Sequence, residues 1–253
     1  MDAASAAPVL VQERMGDVLV LRLSRPRARN AIDGALLAAL EAALEAAQDD
    51  PELRIVILRG EGGYFCAGGD LKERVAIAAE PEGEGLARRN AREGMLLQKI
   101  AALPQLVVAA VEGGAVGAGL GLLCVSDLVL ARDGSLFAAP EVADGAVPAQ
   151  ISLHLLRRLG ASQARRLLLT SVRIGAAEAQ RIGLVHEIVP ADAAFDQALS
   201  ERLGCLARAD KAAVAATKSL LAELDPLDAG YPARAATLYR KVTSKRTDSG
   251  NTP

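Results

Sequence analysis

Two segments of this chain concentrate glycine directly after apolar runs: Gly60 to Asp70, and Gly113 to Gly121. Glycine carries no Cβ, so backbone N–H groups there can approach a ligand closely. A helix that starts at such a segment adds the positive end of its dipole. The chemistry this suits is the holding of negative charge, either a standing phosphate or an oxyanion that forms only during reaction. Gly117-Ala118-Gly119-Leu120-Gly121 does not match G-x-G-x-x-G, and no Lys-Ser or Lys-Thr pair follows it. A nucleotide-binding module is therefore disfavoured against an oxyanion hole built from one amide of each segment. On the glycines alone a plainer alternative stays open, that they only let strands and helices pack closely.

Enolate chemistry also needs a group that moves a proton at carbon. Glu141 follows a strand-like stretch, Phe137 to Ala139, and Pro140. A lone Glu near a helix start is equally what the helix dipole favours. Other reactive side chains read as structural. His154 sits in a helical run among Leu153, Leu155 and Leu156, and His186 lies beside an apolar strand. Neither has a Cys or Ser placed as a triad partner. Cys66 is explained by packing, and Arg157-Arg158 and Arg165-Arg166 by solvated helix faces.

The elements that must position these groups follow from periodicity. Val18 to Leu23 reads as a strand, with Pro26 and Asn30 marking the turn after it. Asp33 can cap a helix through Leu36, Leu37, Leu40 and Leu44. Ile55 to Leu58 and Leu106 to Val111 are continuous apolar runs, the pattern of strands covered on both faces. Residues 80–85 are polar, a helix follows to Leu103, and Leu128 to Ala131 forms another strand. From Ile151 onward the chain reads as mostly helical, broken at Pro190 and Pro226. Strand, helix, strand and glycine loop thus occur twice before a helical tail, which predicts an α/β core.

Composition excludes several classes. The chain has 253 residues, 51% of them hydrophobic and only 2% aromatic, so small aliphatic side chains must fill a sizeable core. A net charge of −2 offers no basic face for nucleic acid. No run of 18 apolar residues predicts a membrane span, and the first residues lack a signal-peptide pattern. The three cysteines, Cys66, Cys124 and Cys205, have no metal-ligand spacing and read as free thiols in a reducing, cytoplasmic setting. No metal site is expected.

Four stretches, in register, resemble the enoyl-CoA hydratase/isomerase (crotonase) family. Arg25-Pro26-Arg27-Ala28-Arg29-Asn30-Ala31 is similar to its R-P-x-x-x-N-A entry segment. Phe65-Cys66-Ala67-Gly68-Gly69-Asp70-Leu71-Lys72-Glu73 is similar to F-x-A-G-x-D-L-K-E. Ala109 to Gly119 is similar to A-A-V-N-G-x-A-x-G-G-G, and Thr170 to Val185 to the family's L-T-x-x-x-x-x-A-x-E-A-x-x-x-G-L-V run. The resemblance implies a ClpP/crotonase-like ββα spiral core over residues 1–190. It implies a helical, trimer-forming C-terminal region over 191–253, where the polar tail from Arg240 departs from the family ending.

By position, the resemblance makes the Gly69 and Ala118 amides the oxyanion donors and Glu141 the acid/base. Arg27, Ala28, Ala67, Gly68, Asp70, Leu71, Lys72 and Gly117 would border an acyl-CoA substrate. No metal or redox cofactor is implied, coenzyme A enters only within the substrate, and the assembly would be a homotrimer or homohexamer. Many family hydratases carry a second Glu where this chain has Gly121. The Glu141 to Ser152 stretch resembles methylglutaconyl- and isohexenylglutaconyl-CoA-type hydratases. Hydration of a branched or carboxylated enoyl-CoA therefore leads. Double-bond isomerisation by Glu141 alone and a catalytically weak acyl-CoA binder are the alternatives. Asp144 stands where an apolar residue is expected, as a surface cap or as a substitute water ligand.

Overall fold

The apolar runs become neighbouring strands because each is apolar on both sides and must be covered on both. In the computed structural model, which describes residues 7–78 and 84–248, six strands form one sheet in the order β1-β2-β3-β4-β6-β9. These are β1 (Leu10–Met15), β2 (Val18–Leu23), β3 (Ile55–Gly60), β4 (Leu106–Val111), β6 (Leu128–Arg132) and β9 (Glu187–Val189). β1 and β2 pair antiparallel, and the remaining pairs are parallel. Alternate residues divide between the faces. Val56, Leu58, Val107, Ala109 and Val129 join the main core with Leu36, Leu37, Leu40 and Leu44 of helix α1 (Gly34–Gln48). Ile55, Ile57, Val108, Ala110 and Leu130 meet Phe195 and Leu199 of helix α7 (Phe195–Leu206) on the other face.

A second, three-stranded sheet lies across the ends of the first. It contains β5 (Gly114–Val116), β7 (Leu136–Ala138) and β8 (Ile174–Gly175). Each long strand feeds a short one and then a helix. β4 leads through β5 into α4 (Ala118–Cys124), and β6 leads through β7 into α5 (Ala149–Thr170). Earlier units repeat this with single bridges: Ile32 pairs with Gly69 before α2 (Leu71–Ala78), and Cys66 pairs with Ala115. Because the short segments of successive units pair parallel as far as β7, with β8 added antiparallel at the end, the repeats wind into the expected ββα spiral.

The helical part holds α3 (Glu84–Ala102), α6 (Ala176–Arg181), α7, α8 (Lys211–Leu224) and α9 (Tyr231–Asp248). α5 is broken at Gly160, whose φ of 70° interrupts the helix. α9 closes over α3 and the start of α5, where Ala235 and Tyr239 pack with Leu86, Ala146 and Ala149. The Tyr231 hydroxyl donates to the Ala149 carbonyl at 2.6 Å.

Asp33 caps α1 as expected, accepting from the Leu36 N–H at 2.8 Å. Three features differ from the sequence reading. β1 was not foreseen, because an edge strand reading Leu-Val-Gln-Glu-Arg-Met is largely exposed and polar. Leu122 and Leu123, to which the sequence reading assigned no element, belong to α4. Of the polar stretch 80–85, Glu84 and Gly85 open α3 and residues 80–83 lie outside the described residues.

The winding demands contact without side chains at Gly119. A methyl built there would stand 2.5 Å from the Cys66 carbonyl oxygen, which is main chain and cannot swing away. Gly119→Ala is expected to cost about 1–3 kcal/mol in urea unfolding, as overpacking does. Gly204, exposed in α7 with open space around it, is the contrast. Gly204→Ala should gain up to about 1 kcal/mol by helix propensity. Equal stability of the two variants would contradict this account of the spiral.

Candidate active site

The bridges that wind the spiral also decide which backbone N–H groups are used. In the first glycine loop Cys66 N–H donates to the Gly114 carbonyl at 3.3 Å and Ala67 N–H to Arg29 at 3.0 Å. Ile32 N–H donates to Gly68 at 2.7 Å, and Asp70 N–H returns to Ile32 at 2.9 Å. Gly68 N–H points at the Cys66 sulfur, 3.4 Å away. Gly69 N–H has no acceptor among the described residues. In the second loop Val116 N–H donates to Cys66 and Gly117 N–H to Ala138, at 2.9 and 3.0 Å. Ala118 N–H, at the first position of α4, likewise has no acceptor among the described residues.

These two unused donors sit on touching segments. A methyl built on Gly68 would lie 3.5 Å from the Ala118 nitrogen and 2.9 Å from the Val116 carbonyl oxygen. The φ of Gly68 is +93° and that of Gly117 is +53°, so both turns need glycine. Ala118 is absent from the residues of positive φ, so its methyl costs no strain.

Arg25 and Asn30 hold the first loop in place. Buried Asn30 accepts from Arg25 N–H at 2.8 Å and donates to the carbonyls of Glu61 and Tyr64 at 2.9 and 2.6 Å. The Arg25 guanidinium pairs with Asp33 and Asp70, each at 2.9 Å. Burial pushes the Asp70 pKa up, but the Arg25 hydrogen bond and the N–H groups of Glu73 and Lys72 outweigh it, so the net shift is downward. The Asp70 carboxylate therefore caps α2 and anchors the loop.

Glu141 follows β7 in a turn closed by Ala146 N–H on its own carbonyl at 2.7 Å. It does not begin a helix, since α5 starts only at Ala149 with Pro148 as its cap, and the helix-dipole alternative falls. Its Oε1 would lie 2.8 Å from a methyl built on Gly117, while Oε2 is buried without a hydrogen-bond partner among the described residues. Burial raises the Glu141 pKa. Its own N–H and Arg74 oppose the rise, and Glu93 and Asp144 add to it.

Gly69, Ala118 and Glu141 line one cavity of about 60 Å³. Leu97, Leu122 and Ile151 supply apolar wall, and Arg74, Glu93 and Tyr239 supply polar groups. The other expected contacts lie outside this lining. Arg27, Leu71 and Lys72 are exposed, Ala28 and Ala67 are half-buried, and Gly68 and Gly117 form the buried backbone beneath. The space beside Gly121 is filled by side chains, since a methyl there would meet Leu97 Cδ1 at 2.9 Å and Ile151 Cγ2 at 3.0 Å and would have to displace them.

Glu93, Arg74 and Tyr239 were missed by the sequence reading. A signal existed for Glu93. Leu86, Arg89, Glu93, Leu97 and Ile100 recur at helical spacing, so two opposite charges interrupt a core-facing stripe. Asp144 is exposed and does not line the cavity, which speaks against a water ligand. Arg158 corrects the reading of solvated arginines, since it donates to the Ser126 carbonyl at 2.9 Å and to those of Gly183 and Leu184. Burial pushes the Cys66 thiol up to about 12, so no thiolate forms near neutrality, and pushes buried His154 down to about 4, leaving an uncharged ring that lies outside this lining.

Comparison with known proteins bears on the fold and the family. The model of the enoyl-CoA hydratase/isomerase family matches residues 13–250. The 2,3-dehydroadipyl-CoA hydratase of Escherichia coli (strain K12) is 34% identical over 213 residues, 84% of this chain and 81% of that protein. The structure of Pseudomonas aeruginosa AtuE has 40% sequence identity and a TM-score of 0.82, covering 96% of this chain and 92% of that one. An enoyl-CoA hydratase/isomerase from Marinobacter aquaeolei has 32% identity and a TM-score of 0.82 over 97% and 92% of the two chains. With spiral, loops and family model in agreement, this chain belongs to the enoyl-CoA hydratase/isomerase family.

Proposed function

We propose that this chain hydrates an α,β-unsaturated acyl-CoA to the 3-hydroxyacyl-CoA. One observation carries the reading: the two unused N–H groups of Gly69 and Ala118 face a cavity they share with the Glu141 carboxyl. A thioester carbonyl placed between those N–H groups becomes more basic in the enolate, where their hydrogen bonds strengthen. Each such donor typically contributes about 3–4 kcal/mol to transition-state stabilisation. Glu141, kept protonated toward higher pH by its burial, handles the proton at Cα. The exposed Arg27 and Lys72 and the half-buried Ala67 border the entrance for the coenzyme A portion. This chemistry calls for no metal or redox group.

The acyl portion is polar or carboxylated in this reading. The name of the Escherichia coli relative is that of a hydratase for a dicarboxylic acyl chain. The Arg74 cation lies on the cavity wall, over the Tyr239 ring at 5.6 Å. A cytoplasmic homotrimer or homohexamer completes the proposal, supported by the exposed Leu220, Leu221 and Leu224 of α8. A second reading, isomerisation of a 3-enoyl-CoA by Glu141 alone, is favoured by the apolar packing at Gly121.

Crotonyl-CoA, 3-methylglutaconyl-CoA and a 3-enoyl-CoA separate the readings. A 3-hydroxy product supports hydration, and a shifted double bond without hydration supports isomerisation. Glu141→Gln is expected to lower turnover at least about a hundredfold while CoA-ester binding is kept. Near-parental turnover would remove Glu141 from the mechanism. The same variant reads the burial of Glu141 independently. A carboxyl with a raised folded-state pKa contributes stability fully below the unfolded value of about 4.3, and loses it as pH rises through the folded value. Glu141→Gln should therefore raise Tm relative to the parent at pH 8, and the gap should close as pH falls. A gap independent of pH would contradict the burial.

A further inference from the structure

We infer that Glu93 of α3 is a second catalytic carboxylate of this site, orienting the attacking water and taking its proton. The inference rests on the hydration reading. It answers a question that reading leaves open, which is where a second carboxylate comes from when Gly121 is walled in by Leu97 and Ile151.

Four observations meet at Glu93. Its carboxyl lines the same cavity as Glu141, Gly69 and Ala118. Its Oε1 would lie 3.3 Å from a methyl built on Gly69, whereas Glu141 Oε1 lies against Gly117. The two carboxyls thus flank the pair of unused N–H groups from opposite loops. Glu93 is held rigidly, because Oε1 accepts from Arg89 Nη1 at 2.9 Å. Arg89 is itself buried and fixed by Glu73 Oε2 at 3.1 Å and the Ile32 carbonyl at 2.9 Å. Glu93 Oε2 makes no hydrogen bond among the described residues, so one oxygen is anchored and the other is available to a water.

The charged surroundings divide the two roles. Arg89, Arg74 and Glu73 from α2 and α3 face Glu93, together with Tyr239 from α9 and Glu141 across the cavity. Burial raises the pKa of both carboxyls; at Glu93 the charges of Arg89 and Arg74 and the Arg89 hydrogen bond oppose the rise, whereas at Glu141 no guanidinium hydrogen bond does so and only its own N–H and the Arg74 charge act against burial. In the step that follows, the water oxygen bonds to Cβ as the C=C π pair moves onto the thioester oxygen. One water O–H bond breaks and its proton passes to Glu93. The enolate then takes the Glu141 proton at Cα, and the thioester carbonyl re-forms. Water has been added across the double bond. One proton passed from Glu93 to Glu141 through the next bound water restores both groups.

The test uses the full chain as parent, Glu93→Gln, Glu93→Asp and Glu141→Gln. Hydration of crotonyl-CoA and 3-methylglutaconyl-CoA is measured across pH, and α-proton exchange of butyryl-CoA in D₂O is followed by NMR. Exchange needs the two N–H groups and Glu141 but no attacking water. Glu93→Gln should lose hydration at least about a hundredfold, keep exchange within about threefold, and lose the acid limb of the kcat/KM profile. Glu93→Asp should restore part of the rate. Hydration by Glu93→Gln within about threefold of the parent would overturn the assignment while leaving the hydration reading intact. Loss of hydration and exchange together, with a fallen Tm, would reduce Glu93 to a structural role and overturn it equally. A parent that hydrates neither ester would defeat the hydration reading and this inference with it.

Discussion

Everything at the site depends on two stretches of main chain lying closer together than side chains allow. Gly68 packs against Val116 to Ala118, and Gly119 packs on the Cys66 carbonyl. The approach lets the parallel bridges at Ile32–Gly69 and Cys66–Ala115 form. Those bridges consume the N–H groups on either side and leave those of Gly69 and Ala118 without an acceptor among the described residues. A free N–H at the wall of a pocket costs desolvation when no acceptor is present. The fold accepts that cost at two neighbouring points of one cavity wall.

The same region gathers buried ionic groups that would be expensive if unmatched. Arg89 joins Glu73 of α2, Glu93 of α3 and the carbonyl of Ile32, and Glu73 Oε1 in turn accepts from Gly34 N–H at 2.7 Å, at the start of α1. Arg25 ties Asp33 to Asp70 in the same way. Removing one member of such a set leaves a buried charge without its partner, at a typical cost of about 3–5 kcal/mol. These networks therefore fix the relative positions of the starts of α1 and α2, the body of α3 and the first glycine loop. Rigidity of that kind keeps a carboxyl and an N–H pair in register with one reacting carbon.

Much of this was legible in the chain itself. The strands Val18–Leu23 and Leu106–Val111 and the Asp33 cap follow from apolar runs and capping chemistry, which are local. The glycine segments left anion chemistry and close packing both open, and the quoted motifs placed them in one family. Less legible were the exposed edge strand β1, the two- and three-residue strands of the second sheet, and the burial of Arg158, none of which carries a periodic pattern long enough to read. The roles of Arg25 and Asn30 were also hidden. Within their motif only Arg27 and Ala28 were read for a role, as a border for the ligand; the hydrogen bonds and ion pairs of Arg25 and Asn30 hold the first glycine loop.

What the sequence determined by itself was the buried strands, the α1 cap and the α/β class, because strand burial and capping act within a few residues of one another, while its motifs carried the family. Only the tertiary structure decided which carboxyls share the cavity. Glu141 and Glu93 are far apart in the chain, and the space beside Gly121 is filled by Leu97 and Ile151 from two other helices. Spacing along a chain cannot report the contents of a volume bounded by several elements, and it is that shared volume that sets desolvation, pKa and proton reach.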